Sequence, residues 1–452
     1  MRSICLTLPT DRECATTLRL LAEEAAYAVT HFDVEVHLLV LDSSAPATRA
    51  THVETLRQLV PVPRVTAHYF DEAAQRDFLS RTIARTDSPK AELLLDLMLP
   101  AALSYGACTN RAFLLGHALG CESVHRRDSD SRYQERDGEK IFPIHHELRA
   151  LGARAGDLAG RVDAHDLTPD ESARTVSMVG ASFIGEPSVD IEEIAALDPE
   201  AYFDVVSLWA PPDATEDDRR ALVAESFRGA GQAAFDGDHS LLARVDPMRV
   251  DMCNIAFHGV HARVPLPPAT DTIGSDYFLI HLVHSAGLPG LLHNRHIVNY
   301  HTGERRTDAG FIAYQTRFVR FLLSMAHLHP AYAALDEAGP GLLLGDGTVD
   351  AQRVAGIVRR AAATDPAENL ARLDRVDDAY RRLGGRYAAF AERLRPLREQ
   401  LPAEARADME DFALLIEAWA PPGGWAGAPR APPRSGAGGG ARKGNSNPPP
   451  GA

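Results

Sequence analysis

Long apolar runs are missing from this sequence. Its hydrophobic stretches are broken by His, Asp or Arg before the ~18 residues that a membrane span requires. Cysteine is scarce: Cys5, Cys14, Cys108, Cys121 and Cys253 are odd in number and form no Cys-x-x-Cys pair. That spacing indicates neither a zinc ribbon nor a disulfide framework, and reduced thiols are expected. Positive charge is in deficit, with 47 Lys and Arg against 62 Asp and Glu and a formal net charge of -15. Nucleic acid is therefore not expected as a partner, because binding it draws on a surplus of cations. No Gly-x-x-x-x-Gly-Lys loop and no Gly-x-Ser-x-Gly elbow occurs, which excludes two common nucleotide and hydrolase designs. Internal repeats are absent. The opening Met1 to Pro9 is interrupted by Pro9 and Asp11 too soon for a signal peptide, so a soluble cytoplasmic protein without membrane spans is expected.

What is present is a chain of 452 residues with 45% hydrophobic content, enough for one large domain or two ordinary ones. The first third alternates strand and helix patterns. Strands are predicted at Ile4 to Pro9, Val34 to Asp42, Arg64 to Asp71 and Glu122 to Arg127, with helices between them and helical material from Phe78 to about Gly120. Such alternation predicts an α/β fold with a mostly parallel central sheet. Further strands are expected at Val176 to Phe183 and Met252 to Phe257, with an acidic helical segment over 210–246. Residues 349–419 read as an appended helical bundle, and the Pro/Gly-rich end as disordered. The expected division is 1–330, 331–420 and 421–452.

In an open parallel sheet, ligands bind beyond the carboxyl ends of the strands. Asp11, Asp42, Asp71 and the pair Asp128/Asp130 fall there on this reading. Carboxylates two residues apart at a strand end can share one divalent cation, and hard oxygen ligands suit Mn2+ or Mg2+ bound with phosphates. Asp-x-Asp alone also recurs by turn preference. Its place after the fourth strand of an alternating series gives it weight.

Three stretches carry a resemblance: Thr7-Leu8-Pro9-Thr10-Asp11-Arg12 after the first strand, Asn110-Arg111-Ala112 in the helix before the fourth, and Arg127-Asp128-Ser129-Asp130 after it. With Asp42 between them, they resemble the GT-A glycosyltransferases, especially the large inverting family 2. The resemblance covers the layout of about the first 330 residues and implies a single Rossmann-like GT-A domain. It implies a nucleotide-sugar donor at Pro9, Thr10, Asp11, Arg12, Asp42, Asp71, Asn110 and Arg111, and a metal at Asp128 and Asp130. The segment Thr272-Ile273-Gly274-Ser275-Asp276 resembles the family's acidic segment before a helix, which makes Asp276 the candidate general base; a simple helix cap is the competing role. The run from His293 to Arg306 holds three histidines and three arginines. By the same resemblance His301 or His296 is a further metal ligand, and Arg305 with Arg306 a diphosphate clamp. A zinc site and a solvated basic loop stay open as alternatives.

The resemblance implies a metal-dependent, inverting transferase acting on a small-molecule acceptor. The Ala/Arg/Gly-rich composition resembles that of high-GC actinobacteria, which suggests a role in natural-product biosynthesis. Two rival readings share the fold. A sugar-nucleotidyltransferase would carry a glycine-rich loop after the first strand, where this chain has Pro9-Thr10-Asp11-Arg12-Glu13. A catalytically inactive GT-A-like scaffold would recruit a partner through its C-terminal helices. Donor, acceptor and oligomeric state are not legible.

Overall fold

Among the described residues thirteen strands carry the architecture: β1 (Arg2–Thr10), β2 (Val34–Asp42), β3 (Val65–Asp71), β4 (Ser123–Arg127), β5 (Arg132–Arg136), β6 (Glu139–Ile141), β7 (Ala164–Asp166), β8 (Met178–Gly180), β9 (Phe183–Gly185), β10 (Ser240–Ala243), β11 (Asn254–His258), β12 (Gly290–His293) and β13 (Ile297–Asn299). They belong to a computed structural model that describes residues 1–419 except Asp87, Ser188, Asp190 and 301–306, with only the backbone of Ser275. The main sheet runs β3-β2-β1-β4-β11-β8-β12-β10-β7, and a smaller sheet runs β6-β5-β13-β9. The main sheet is mostly parallel; β11 is antiparallel to both its neighbours and β10 to β12.

The order of the first four strands positions the site. From β1 the chain builds outward through β2 and β3, then returns to lay β4 on the other side of β1. That reversal is a topological switch point, and the crevice beyond the carboxyl ends of β1 and β4 is where an open sheet accepts a ligand.

Alternation along β1 supplies both cores. Ile4, Leu6 and Leu8 face the helix Ala15–His31 through Leu18, Leu21, Ala25 and Ala28. Cys5 faces the helix Tyr105–Ala118 on the other side, in one cluster with Leu39, Leu41, Ala112 and Phe113. Each buried Leu, Ile or Phe among them contributes ~1.5–3 kcal/mol. The helix Tyr105–Ala118 starts at Ser104, whose Oγ accepts from the Ala107 N–H at 3.1 Å. Its Gly106 is required by close approach, since a Cβ there would lie 1.9 Å from the Pro267 carbonyl oxygen.

The helices expected over 349–419 form as Ala351–Ala362, Pro366–Leu383, Gly385–Leu394 and Gln400–Trp419. They are not an appendage. Phe412 meets Phe278 edge-on with ring centroids 4.7 Å apart, and Trp419 Nε1 donates to the His261 carbonyl at 3.1 Å. The boundary expected at 330/331 falls inside the 31-residue helix Asp308–Ala338. Other expectations are corrected as well. The 78–120 stretch breaks into the end of Glu72–Ile83, then Ala91–Met98 and Tyr105–Ala118. Residues 176–183 do not form one strand, because the chain leaves β8 at Ala181-Ser182 and enters β9 in the smaller sheet. In 210–246 only Glu216–Glu225 is α-helical, and Ser240–Ala243 is a strand. The tail 421–452 lies outside the described residues. Among those described, no helix is long and apolar enough to cross a membrane, and all five thiols are free.

Candidate functional site

A cavity of about 1710 Å³ opens over the switch point. Its wall includes Pro9, Thr10, Asp11 and Arg12 after β1, and Arg126, Asp128, Ser129 and Asp130 at the end of β4. Single small-molecule pockets run to ~300–1,000 Å³, so this volume can hold two substrates together.

Both loops are held in shape by their own polar groups. Thr10 Oγ1 donates to the Arg12 carbonyl at 2.8 Å and accepts from the Arg12 N–H at 3.2 Å. The turn after β4 closes through Ser131 N–H to the Asp128 carbonyl at 3.1 Å. Thr17 Oγ1 ties it to the first helix by donating to the Ser129 carbonyl at 2.7 Å. Arg12 bridges the loops, with Nη1 3.6 Å from Asp130 Oδ2 and Nε 3.3 Å from Asp11 Oδ1.

Arg126 is the hub. It is 2% exposed; Nη2 lies 3.0 Å from Asp128 Oδ1, and Nη1 donates to Asp276 Oδ2 at 3.1 Å and to the Met252 carbonyl at 2.8 Å. Asp251 joins from the segment before β11, accepting from Tyr277 Oη at 2.5 Å and from the Cys253 N–H at 3.0 Å. Negative charge is therefore in excess at the cavity floor. Desolvation pushes the Asp128 carboxyl up to about 6 against the pull of Arg126, with Asp130, Asp251 and Asp276 adding like charge. Burial likewise raises Asp276, opposed by Arg126 and reinforced by Asp251. An all-oxygen, under-neutralised set of this kind fits a hard divalent cation. Among the described residues no group of three or more His, Cys, Asp or Glu is arranged to hold a metal by itself. A cation here would complete its shell with phosphate and water oxygens.

Asp11, Arg12, Asp128, Asp130 and Asp276, all expected at the site, line this one cavity, as do Pro9 and Thr10. Asp276 sits in the turn Ser275–Tyr277, which leads into the helix Phe278–Ser285, and among the described side chains none caps that helix. Its carboxylate instead meets Arg126.

The remaining expected residues have other partners or lie outside the described residues. Asp42 is fully buried; Oδ1 accepts from the Ser44 N–H, and Oδ2 from His52 Nδ1 and Tyr69 Oη, each at 2.8 Å. It closes the end of β2 from within. Asp71 caps the helix Glu72–Ile83, accepting from the Ala74 N–H at 2.9 Å. Asn110 is buried and clasps the Leu266 backbone, donating to its carbonyl at 2.8 Å and accepting from its N–H at 2.7 Å. Arg111 does line the cavity, yet Nε donates to Gln75 Oε1 and Nη1 to the Met98 carbonyl, each at 2.7 Å. His296 lines the cavity too, but its Nδ1 accepts from the Ser182 N–H at 3.2 Å. A neutral ring then carries its proton on Nε2, which makes that atom a donor and not a metal ligand. His301 and Arg305 lie outside the described residues.

Sequence reasoning misses Asp251, which precedes a strand whose antiparallel placement the sequence does not display, and it includes Arg126 in the run His125 to Asp130 at the site without a role of its own. The available signal was an isolated acid, Asp251, just before the apolar run of β11.

Among curated proteins none matches the chain. Among solved structures, it is similar to the mannosyltransferase PcManGT from Pyrobaculum calidifontis in complex with GDP-Man and Mn2+, at 13% identity, covering 91% of this chain and 86% of that one, with a TM-score of 0.32. It is similar to S. aureus TarS 1-349 at 12% identity, covering 93% and 91%, with a TM-score of 0.29. A family model described as a family of unknown function, DUF6271, matches residues 2–425.

Proposed function

The chain belongs to the DUF6271 family, and we propose that it is a metal-dependent GT-A glycosyltransferase that moves a sugar from a nucleotide-sugar to a small-molecule acceptor. One observation carries the reading: the carboxylates around Arg126 stand in excess at the β1/β4 switch point, on the floor of a cavity sized for two substrates.

Asp128 and Asp130 would hold Mn2+ or Mg2+, which when bound neutralises charge on the leaving diphosphate. The Pro9 to Arg12 loop borders the nucleoside, and Arg12 adds positive charge beside Asp130. Asp276 accepts the proton of the acceptor hydroxyl. The acceptor oxygen forms its bond to the anomeric carbon as the bond from that carbon to the phosphate oxygen breaks, and the electron pair leaves with the diphosphate. In-line attack gives inversion. The upward push on Asp276 strengthens it as a proton acceptor, and Arg126 fixes its direction. Natural-product tailoring in the cytoplasm is the setting we favour, on composition.

Calorimetric titration with UDP and GDP in the presence of Mn2+ tests the reading. Binding of one nucleotide by the wild type, lost in Asp130→Ala, is expected. No binding to the folded wild type would overturn the proposal. Turnover must then release a nucleoside diphosphate; consumption of a nucleoside triphosphate with release of pyrophosphate would mark a nucleotidyltransferase instead.

A further inference from the structure

The cavity has a second wall made of different chemistry. Trp209 and Phe227 stack with ring centroids 4.9 Å apart and an interplanar angle of 22°, and Phe321 meets Trp209 edge-on at 5.6 Å. All three line the cavity that also contains Asp276. Trp209 and Phe227 are only half-buried, although large aromatic side chains gain most from full burial. Phe227 is held in the left-handed region at φ 63°, where a bulky side chain is strained. The backbone thus bears strain at the residue that presents this ring.

The aromatic wall adjoins the proposed base. At Gly274, two residues before Asp276, a Cβ would lie 2.7 Å from the Phe321 ring. Tyr332 lines the same side, with His281 stacked on it at 3.7 Å and 11°. Burial pushes His281 down to about 3 and His329 down to about 4, so both rings are neutral at pH 7. Asp213, Glu225, Asp336 and Arg228 line the same cavity, and buried Arg372, paired with Glu368, donates to the Leu208 and Leu322 carbonyls beside Trp209 and Phe321. The wall offers flat apolar faces, and among these groups carboxylates outnumber guanidinium groups.

Building on the transferase reading above, we infer that the wall of Trp209, Phe227 and Phe321 is the acceptor subsite, and that it takes a hydroxylated, non-anionic molecule with a flat apolar ring, stacked so that its hydroxyl reaches Asp276. Aromatic stacking supplies the affinity, and the carboxylates bordering the wall supply the discrimination.

The test compares 2-naphthol with 2-naphthoate, of the same shape but anionic, by calorimetry on the full chain. The wild type should bind 2-naphthol and hold 2-naphthoate at least roughly tenfold more weakly. Phe227→Gly removes the ring and suits the positive φ, and near-UV circular dichroism checks its fold. It should weaken 2-naphthol by roughly tenfold while leaving UDP or GDP binding with Mn2+ unchanged. Equal affinity for the two probes, no 2-naphthol binding, or full binding by folded Phe227→Gly overturns the inference. Should that variant not fold, the two-probe comparison on the wild type decides alone. Nucleotide binding without 2-naphthol binding overturns only the acceptor subsite. Binding of 2-naphthol without any nucleotide overturns the transferase reading and leaves an aromatic binding pocket.

Discussion

Arg126 and Arg127 are neighbours on β4, and strand alternation sends them to opposite faces of the sheet. Arg127 enters a closed network. It is fully buried, with Nη2 donating to Glu24 Oε1 at 2.8 Å and to Glu147 Oε2 at 3.0 Å, and Nε donating to Glu24 Oε2 at 3.1 Å. Tyr133 Oη and the Ile144 N–H also donate to Glu24, and His125 Nδ1 lies 2.7 Å from Glu147 Oε2. Although burial works the other way, Arg127 and His125 hold the Glu147 carboxyl below its usual range. Arg126 enters an open cluster, where Asp128 and Asp276 share one guanidinium and Asp251 and Asp130 add further charge. The closed set holds the strand in place, and the open set presents its carboxylates on the cavity wall. On the transferase proposal, that contrast separates a structural ion network from a functional one more clearly than burial does.

Breaking the closed side should have the largest effect. Arg127→Ala strands two carboxylates in the sheet's interior and is expected to cost ~3–5 kcal/mol or prevent folding. Chemical denaturation measures it, and a loss under ~1 kcal/mol would show that Glu24 and Glu147 do not depend on Arg127. The open side should respond in rate, not in stability. Asp276→Asn is expected to lower kcat by ~10²–10⁴ with donor KM and thermal midpoint nearly unchanged; an equal kcat would remove Asp276 as base.

The link between the two walls of the cavity should be more modest. Gly274 has φ +71° and sits against Phe321, so Gly274→Ala is expected to cost ~1–3 kcal/mol in thermal unfolding. A neutral outcome would mean that the aromatic wall yields easily. A second under-neutralised cluster, far along the chain in the helix Gln400–Trp419, should show itself in the pH dependence of stability. There burial pushes Asp408 up to about 7 against the pull of Arg320, with Asp411 and Glu404 adding like charge. Between about pH 4 and about pH 7 the unfolded carboxyl ionises while the folded one keeps its proton, so stability falls as pH rises. Asp408→Asn escapes that loss. Its thermal midpoint should gain on the wild type from pH 4 to pH 7 and then hold level; an advantage confined to acid pH would contradict the assignment.

Much of the N-terminal half was legible because its signals are local. Val34 to Asp42 matches β2 residue for residue, since Val34, Val36 and the apolar run Leu38 to Leu41 between polar turns have one stable use in a covered parallel sheet. The run from Arg127 to Asp130 was placed at a strand end for the same reason. Asp42, Asp71 and Asn110 share the residue types of a ligand site, and their internal partners, His52, the Ala74 N–H and the Leu266 backbone, decide otherwise. One of these partners is near in sequence and the others are not.

By itself, then, the sequence determined the alternation of strands and helices, the position of Asp128 and Asp130 beyond β4, and the acidic, cysteine-poor character of the chain. Those properties depend on neighbours within a few residues. Tertiary structure alone decided which carboxylates crowd together, that Asp276 meets Arg126 with Asp251 beside it, and that aromatic rings from distant segments face the same cavity. Charge compensation and cavity walls are sums over side chains far apart in sequence, and no local pattern encodes such a sum.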